Sequence, residues 1–386
     1  AVREHAEKRV IGHLANLNRY KQKNPNLVLG VCGCMAQHMK EKIIEAAPHV
    51  DFVIGPDAYR NLPVAISSAL EGDAFLDLKL DKTEVYSEIE PSREAGVRAW
   101  LTIMRGCNKM CTFCIVPYVR GRERSIPMAA LLAEVRKLAQ DGFAEVVLLG
   151  QTVNSYHDGQ YDFGDLLIAI NGIEGIERIR FISPHPVDIT DKMIDVMARY
   201  DKICKHIHLP LQSGSTKILQ TMRRNYTAEE YLRLVEKMRE KMPTLAIGTD
   251  IIAGFCGETE EDFQATYHLV ETVRFDSAFM FKYSPRQGTI AYRKLADDVP
   301  PEEKGRRLTA IIELQERISL EINKGLIGQE VEVLVEGESK RDPEQLCGKT
   351  DSFKTTVFPR DNAKAGQFVK IKIANATGHT LSGEIL

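Results

Sequence analysis

The chain has 386 residues, of which 44% are hydrophobic and 27% charged, with a formal net charge of −3. That length calls for two or three domains, and the balance is that of a globular chain rather than a disordered or fibrous one. The near-neutral charge provides no global pull towards nucleic acid, and no apolar run reaches the roughly eighteen residues of a membrane-spanning helix.

The opening "AVREHAEKRV" reads as amphipathic helix from its first residue, without the charged-then-apolar layout of a signal peptide, so the chain is expected to begin inside a domain. Residues 1–72 alternate helical patterns with short apolar runs, "LVLGVCGCMAQ" as strand and turn and "VDFVIGP" as a second strand. This is the βα pattern of part of an open, Rossmann-like α/β domain. Residues 73–97 are polar and irregular, and "EIEPSREAGVRA" reads as linker.

From 98 to 325, six strand candidates recur: "AWLTIMRG", "AEVVLLGQ", "RIRFISP", "KHIHLPL", "LAIGTDIIAGF" and "SAFMFKYSP". Helical stretches lie between them, among them 128–140, 228–241 and 260–273. Six alternating units are too few for a standard eight-strand barrel, so an α/β fold with a partly open (β/α)6 barrel is predicted. Such folds gather their functional groups at the C-terminal ends of the strands. Arg105, Gln151, Asn154, Ser183, His185, Gln212, Asp250 and Arg286 stand there. A long charged helix over 301–324 leads out. Residues 326–386 then alternate at period two between Gly and Asn turns, the pattern of a small all-β barrel.

Eight cysteines without a signal peptide point to a reducing, cytoplasmic setting, where thiolates serve metals or catalysis. Cys204, Cys256 and Cys347 stand alone and read as small buried hydrophobes. Cys107, Cys111 and Cys114 are crowded into "MRGCNKMCTFCIVPYVRGRERS" with the spacing Cys-x3-Cys-x2-Cys. Structural zinc usually takes four ligands in two close pairs, and no second pair follows at finger spacing, although His185, His206 and His208 could be recruited. Three thiolates on one loop can instead ligate three irons of a [4Fe–4S] cluster, leaving the fourth iron open to a small chelating molecule. Spacing favours the cluster and leaves zinc open.

Between Arg98 and Ser125 the net charge is +5, an anion or phosphate patch, with Arg120, Arg122 and Arg124 on an RNA-facing or cofactor-facing rim. Gln151 and Asn154 are candidate cofactor contacts, as are Ser183 and Gln212, and the glycine of "PLQSGS" suggests a close backbone approach. Asp250 is a candidate ribose acceptor, and Arg286 offers a bidentate fork for a carboxylate or phosphate. In "HDGQYDFGD", a turn opening a helix explains His157 and Asp158 better than a metal does.

The loop "RGCNKMCTFCIVPYVRGRERS" resembles the signature of the radical S-adenosylmethionine superfamily, in its methylthiotransferase branch. "LLGQTVNSY", "ISPHP", "HLPLQSGS", "MRRNYT", "TDIIAGFCGETEEDF" and "YSPRQGTIAY" agree, so the resemblance covers essentially the whole chain. It is greatest to the tRNA-modifying members, which methylthiolate C2 of N6-isopentenyladenosine beside the anticodon. The resemblance implies that Cys107, Cys111 and Cys114 hold a cluster whose open iron chelates S-adenosylmethionine, with Phe113 making a backbone contact to the cofactor's adenine. Reductive cleavage of the sulfonium would give a 5′-deoxyadenosyl radical able to remove the inert C2 hydrogen.

A second [4Fe–4S] cluster is also implied, with Cys34 in "GCMAQ" as one ligand and two further cysteines that this sequence does not contain. As it stands, the chain is not expected to hold that sulfur-donating cluster normally, and Cys32 reads as a packed strand residue. Thr152 and Cys256 depart from the family pattern, in details of the cofactor pocket. The implied partners are tRNA, a reducing electron donor and a sulfur donor, with no membrane and a monomeric chain.

The C-terminal barrel resembles the TRAM domain, an RNA-binding appendage. Its net charge from Leu326 onwards is −1, so RNA reading falls to a local face with Arg341, Phe353, Lys354, Phe358 and Arg360. Two other readings keep the chemistry and change the substrate, to threonylcarbamoyl-modified adenosine or a ribosomal-protein aspartate. A third is a noncatalytic, zinc-stapled RNA-binding protein.

Overall fold

The computed structural model describes residues 4–89 and 91–386, which fall into two compact units. The first gathers residues 1–86, 105–124 and 285–295; the second gathers 87–104, 125–284 and 296–386.

Three short parallel strands form the sheet of the first unit: β1 (Gly30–Cys32), β2 (Phe52–Ile54) and β3 (Phe75–Asp77). Gly30 lies opposite Phe52, where a Cβ would fall 2.0 Å from the ring, so the aromatic side chain takes the space that glycine leaves. Val31, Val53, Met35, Ile43 and Leu14 of the helix Glu4–Lys23 make one core cluster. The strand β3 lies inside the stretch 73–97 that composition marked as irregular linker. A three-residue strand is too short for periodicity to reveal, and its pairing with β2 (Phe52↔Phe75) defines it. The helix Leu62–Glu71 delivers the chain to β3 and ends on Gly72, whose left-handed φ of 90° suits a residue without a Cβ.

The second unit contains the six strands expected for the partly open (β/α)6 barrel. They are β4 (Arg98–Thr102), β5 (Glu145–Leu149), β6 (Arg178–Phe181), β7 (His206–His208), β8 (Ala246–Ala253) and β9 (Ser277–Lys282). All pairings are parallel, in the orders β4-β5-β6 and β7-β8-β9, and a bridge from Ile179 to Ile203 continues β6 towards the next strand. Helices Met128–Gln140, Ala228–Lys241 and Glu260–Val273 fall where apolar periodicity puts them. Capping boxes open the last two: Thr227 with Glu230 and Thr259 with Asp262. Asp162 caps Phe163–Asn171 in the same way, so the "HDGQYDFGD" segment is a helix-opening turn. Gly214 does permit a close approach, but to helix Glu260–Val273, since a Cβ there would lie 2.6 Å from Thr266 Cα.

The helix Pro301–Lys324 leads to a closed five-stranded barrel of β10 (Glu330–Glu338), β11 (Gln345–Thr350), β12 (Thr355–Pro359), β13 (Phe368–Ala376) and β14 (Thr380–Ile385). The strands close in the order β10-β11-β12-β14-β13 around Val333, Leu346, Phe358, Ile371 and Leu381. Of the lone cysteines, Cys204 and Cys256 are buried as expected, whereas Cys347 is only half-buried on β11.

Charge is also buried beneath the six strands. Glu145 at the start of β5 is fully enclosed, and its two oxygens accept from Arg98 Nε and, at 2.9 Å, from Arg180 Nε. Removing that carboxylate strands the enclosed Arg180 without its counter-charge and leaves Arg98 with Glu336 alone. Glu145→Ala is therefore expected to lower unfolding stability by about 3–5 kcal/mol. A denaturant midpoint within error of the parent would contradict this.

Candidate functional site

The cysteine loop follows β4 in the chain and belongs to the first unit. Gly106 opens it at a φ of 77°, and a Cβ there would sit 1.9 Å from the Arg122 carbonyl oxygen. Glycine is needed both for the dihedral angle and for the space. The segment from Gly121 to Glu123 doubles back along the loop. Cys107 N donates to Gly121 O at 3.1 Å, and Asn108 donates from N and Nδ2 to the two Glu123 oxygens at 3.0 and 3.1 Å.

Cys107 and Cys111 are buried and Cys114 is half-buried, on backbone that is neither helix nor strand. The Lys109 N–H points at Cys107 Sγ and the Val116 N–H at Cys114 Sγ, both at 3.4 Å. Hydrogen bonds of this kind stabilise thiolate charge and tune iron–sulfur clusters. Three thiols on one short irregular loop, two of them facing backbone donors, are the donor chemistry of a cluster with three cysteine ligands, although among the described residues no three His, Cys, Asp or Glu side chains converge as around a single metal ion. Thr112 O accepts from Ala291 N at 2.7 Å, which ties the residue beside Phe113 to the segment 285–295.

Ion pairs pin both flanks of the loop. Asp57, its side chain fully enclosed, accepts from Arg124 Nη1 at 2.9 Å and Nη2 at 3.2 Å, and lies 3.7 Å from Arg105. Arg105 also donates to Pro56 O at 2.7 Å and stands 4.5 Å from the centre of the Tyr86 ring. Burial, and after it the neighbouring Arg120, hold the Arg105 pKa below its usual value. Arg124 is thus a buried counter-ion, and the expectation that it faces RNA is corrected. The sequence does not single out Asp57; its only signal is an acid directly after the apolar run "FVIGP".

Arg120 is half-buried and donates from Nε to Cys34 Sγ at 2.7 Å, while Arg122 is exposed. Cys34 opens the short helix Cys34–Met39. Cys32, expected to be packed, is exposed instead, because strand alternation gives the core position to Val31. Arg286 is buried, its Nη2 donates to the Glu7 carboxylate, and it lies 3.3 Å from His38 Nδ1.

Gln151, Asn154, Ser183, Gln212 and Asp250 belong to the second unit. Gln151 and Ser183 lie just beyond the ends of β5 and β6, and their loops are joined by Val153 N to Ser183 O at 3.2 Å. Asn154 latches the backbone of His185, accepting from its N at 2.8 Å and donating to its O at 3.0 Å. Gln212 N donates to Asp250 O at 2.8 Å, which brings these two together, and Asp250 itself sits on β8, 3.1 Å from His208. Ser183 and Gln212 hold φ angles of 64° and 71°, left-handed conformations that side chains with a Cβ seldom adopt.

In the C-terminal barrel, Arg341 and Arg360 are exposed, the latter paired with Glu338. Phe358 is 1% exposed inside the barrel and has no face on which a base could stack. Lys354 pairs with Asp276 at 2.7 Å, and Phe353 is covered by cationic side chains of its own unit. These three expected RNA contacts are corrected.

Residues 101–270 match the radical SAM superfamily, residues 324–386 the TRAM domain, and residues 1–55 a family described as uncharacterized protein family UPF0004. A tRNA-2-methylthio-N(6)-dimethylallyladenosine synthase of Chloroherpeton thalassium is 46% identical over 388 residues, covering 100% of this chain and 86% of that protein. One from Porphyromonas gingivalis is 48% identical over 395 residues, covering 100% and 85%. Among solved structures, the radical S-adenosylmethionine methyltransferase TsrM from Kitasatospora setae aligns with a TM-score of 0.59 at 14% identity, over 73% of this chain and 60% of that one. That likeness is one of fold.

Gly106→Ala is expected to cut the iron bound after anaerobic reconstitution from about four atoms on the loop to fewer than about one, with the far-UV circular dichroism unchanged. Full iron loading in the variant would show that the loop does not need this glycine.

Proposed function

The chain belongs to the tRNA-2-methylthio-N(6)-dimethylallyladenosine synthase family of radical SAM enzymes, and from that premise we propose how its residues divide the work. It is a radical methylthiotransferase that converts N6-isopentenyladenosine next to the tRNA anticodon to the 2-methylthio derivative. The observation that carries this reading is the full-length match to these synthases, together with the pinned three-cysteine loop.

Cys107, Cys111 and Cys114 hold the cluster. When bound, a [4Fe–4S] centre with S-adenosylmethionine supplies the hydrogen-abstracting power that an aromatic C2–H demands. The protein's own part is to bind, orient and exclude competing hydrogen donors. Phe113 offers a backbone contact to the cofactor, and Gln151, Ser183, Gln212 and Asp250 are further cofactor contacts. The left-handed backbones of Ser183 and Gln212 support this assignment, since strained residues gather at functional sites.

Residues 326–386 read RNA, with Arg341 and Arg360 at phosphate, and Arg120 and Arg122 form a basic rim. Residues 1–72 carry the methylthiotransferase domain and 98–325 the radical core, with 73–97 between them. Cys34, held by Arg120, is one ligand of a second cluster. Cys32 and Cys34 are the cysteines of residues 1–72, too few for three ligands, so no step is drawn through that centre. Among the described residues no helix is long and apolar enough to cross a membrane. The working setting is the cytoplasm, with a monomeric enzyme supplied by a reducing electron donor and a sulfur donor.

The test compares tRNA that bears the isopentenyl group with tRNA that lacks it. Binding is expected to be at least about tenfold tighter for the isopentenylated form, since burying its five carbons exceeds the 1.4 kcal/mol that tenfold requires. Equal binding of both, or preference for a threonylcarbamoyl-bearing tRNA, would overturn the substrate assignment.

A further inference from the structure

The hairpin between β11 and β12 of the C-terminal barrel ends in Phe353, whose φ of 64° is unusual for a large aromatic residue. Such a backbone persists only where its surroundings hold it. Those surroundings are three cations and an imidazole. Arg98 of β4, Arg180 of β6 and Lys349 of β11 stand 5.5, 4.9 and 4.7 Å from the ring centre. The His206 ring of β7 lies 5.2 Å away.

Three cations around one ring would repel each other unless something balanced them. Glu145 holds both Arg98 and Arg180, and Glu336 takes Arg98 as well, so two acids offset much of the charge. Burial, with Arg180 as the next cause, pushes the His206 pKa down to about 3, so its ring adds no fourth charge near neutrality.

The arginines also fix the hairpin backbone. Arg180 donates to Asp351 O at 2.7 Å and Thr350 O at 2.6 Å, and Arg178 donates to Lys349 O at 2.7 Å. Lys205 N donates to the Asp351 carboxylate at 3.0 Å, and Arg98 reaches Glu336 at 2.6 Å. The residues that seize the hairpin lie at the N-terminal ends of β4 and β6 and beside β7, opposite the strand ends that carry Gln151 and Ser183. Phe353, expected to stack on RNA, is surrounded by side chains of its own unit.

We propose that Phe353 is a positioning residue that locks the RNA-reading barrel onto the N-terminal ends of the catalytic strands, so that bound tRNA is presented at a fixed distance from the reacting centre. The proposal rests on the reading that residues 326–386 bind tRNA. A barrel that swung on the end of helix Pro301–Lys324 would bind tRNA in many orientations, few of them productive. A cage of one aromatic ring and three cations, two of them held by Glu145, restrains that motion.

The test uses the full chain with its loop cluster reconstituted, comparing wild type with Phe353→Ala, Phe353→Leu and Phe353→Tyr. Hydrogen exchange over 330–386 is expected to be about tenfold faster in Phe353→Ala, intermediate in Phe353→Leu and restored in Phe353→Tyr. Apparent affinity for isopentenylated tRNA is expected to fall by about tenfold in Phe353→Ala, while reductant-dependent cleavage of S-adenosylmethionine in the absence of tRNA stays unchanged. Unchanged exchange in Phe353→Ala would overturn the anchor. Faster exchange with undiminished tRNA affinity would overturn its role in presenting tRNA. Failure of the underlying reading would look different, with the full-length Arg341→Ala, Arg360→Ala double variant keeping the wild-type tRNA affinity.

Discussion

A loop that offers three thiols to one compact cluster has to curl around it: a helix would place residues 107, 111 and 114 on one face but in a row roughly 10 Å long, and a strand would turn 114 to the face opposite 107. Its backbone must therefore be held by the segments around it. Here the returning chain at Gly121–Glu123 supplies the partners of Cys107 N and Asn108 N, and the buried Asp57 carboxylate grips Arg124 and Arg105 on either side. Breaking an enclosed pair of this kind strands a charge and costs several kcal/mol, which makes the loop's geometry hard to relax. The basic residues that flank the cysteines in sequence are thus mainly scaffolding. Arg122 is left exposed, and Arg120 is directed at Cys34.

The same economy of charge recurs under the barrel strands. One enclosed carboxylate, Glu145, organises two arginines whose other faces receive the hairpin of the C-terminal barrel. In both places the structure uses Arg where Lys would not serve, since a planar guanidinium can hold a carboxylate and a carbonyl, or an aromatic ring, at once. The catalytic core and the RNA-reading module are in this way built from one charge-balancing device.

Much of this was legible in the sequence. Helices Met128–Gln140, Ala228–Lys241, Glu260–Val273 and Pro301–Lys324 have the expected bounds, because apolar periodicity, Thr caps and flanking prolines all agree there. The six strands, the closed C-terminal barrel and the cysteine loop were equally visible. The strand Phe75–Asp77 was not, since three residues paired across a sheet leave no local pattern. What residue type does not show is internal pairing: Arg124, Arg286, Lys354 and Phe353 have the composition of ligand-binding residues, but composition does not say whether the partner is a ligand or another side chain. Asp57, Glu7 and Asp276 supply partners to Arg124, Arg286 and Lys354 from distant points in the chain.

The central claim is that the Cys107–Cys114 loop holds a cluster that activates S-adenosylmethionine. The most direct measurement is reductant-dependent formation of 5′-deoxyadenosine by the anaerobically reconstituted chain, beside Cys111→Ala treated identically. The account predicts cleavage by the parent chain, with about four irons on the loop, and none above background in the variant. Stoichiometric zinc with no cleavage in the parent, or undiminished cleavage in Cys111→Ala, would contradict it.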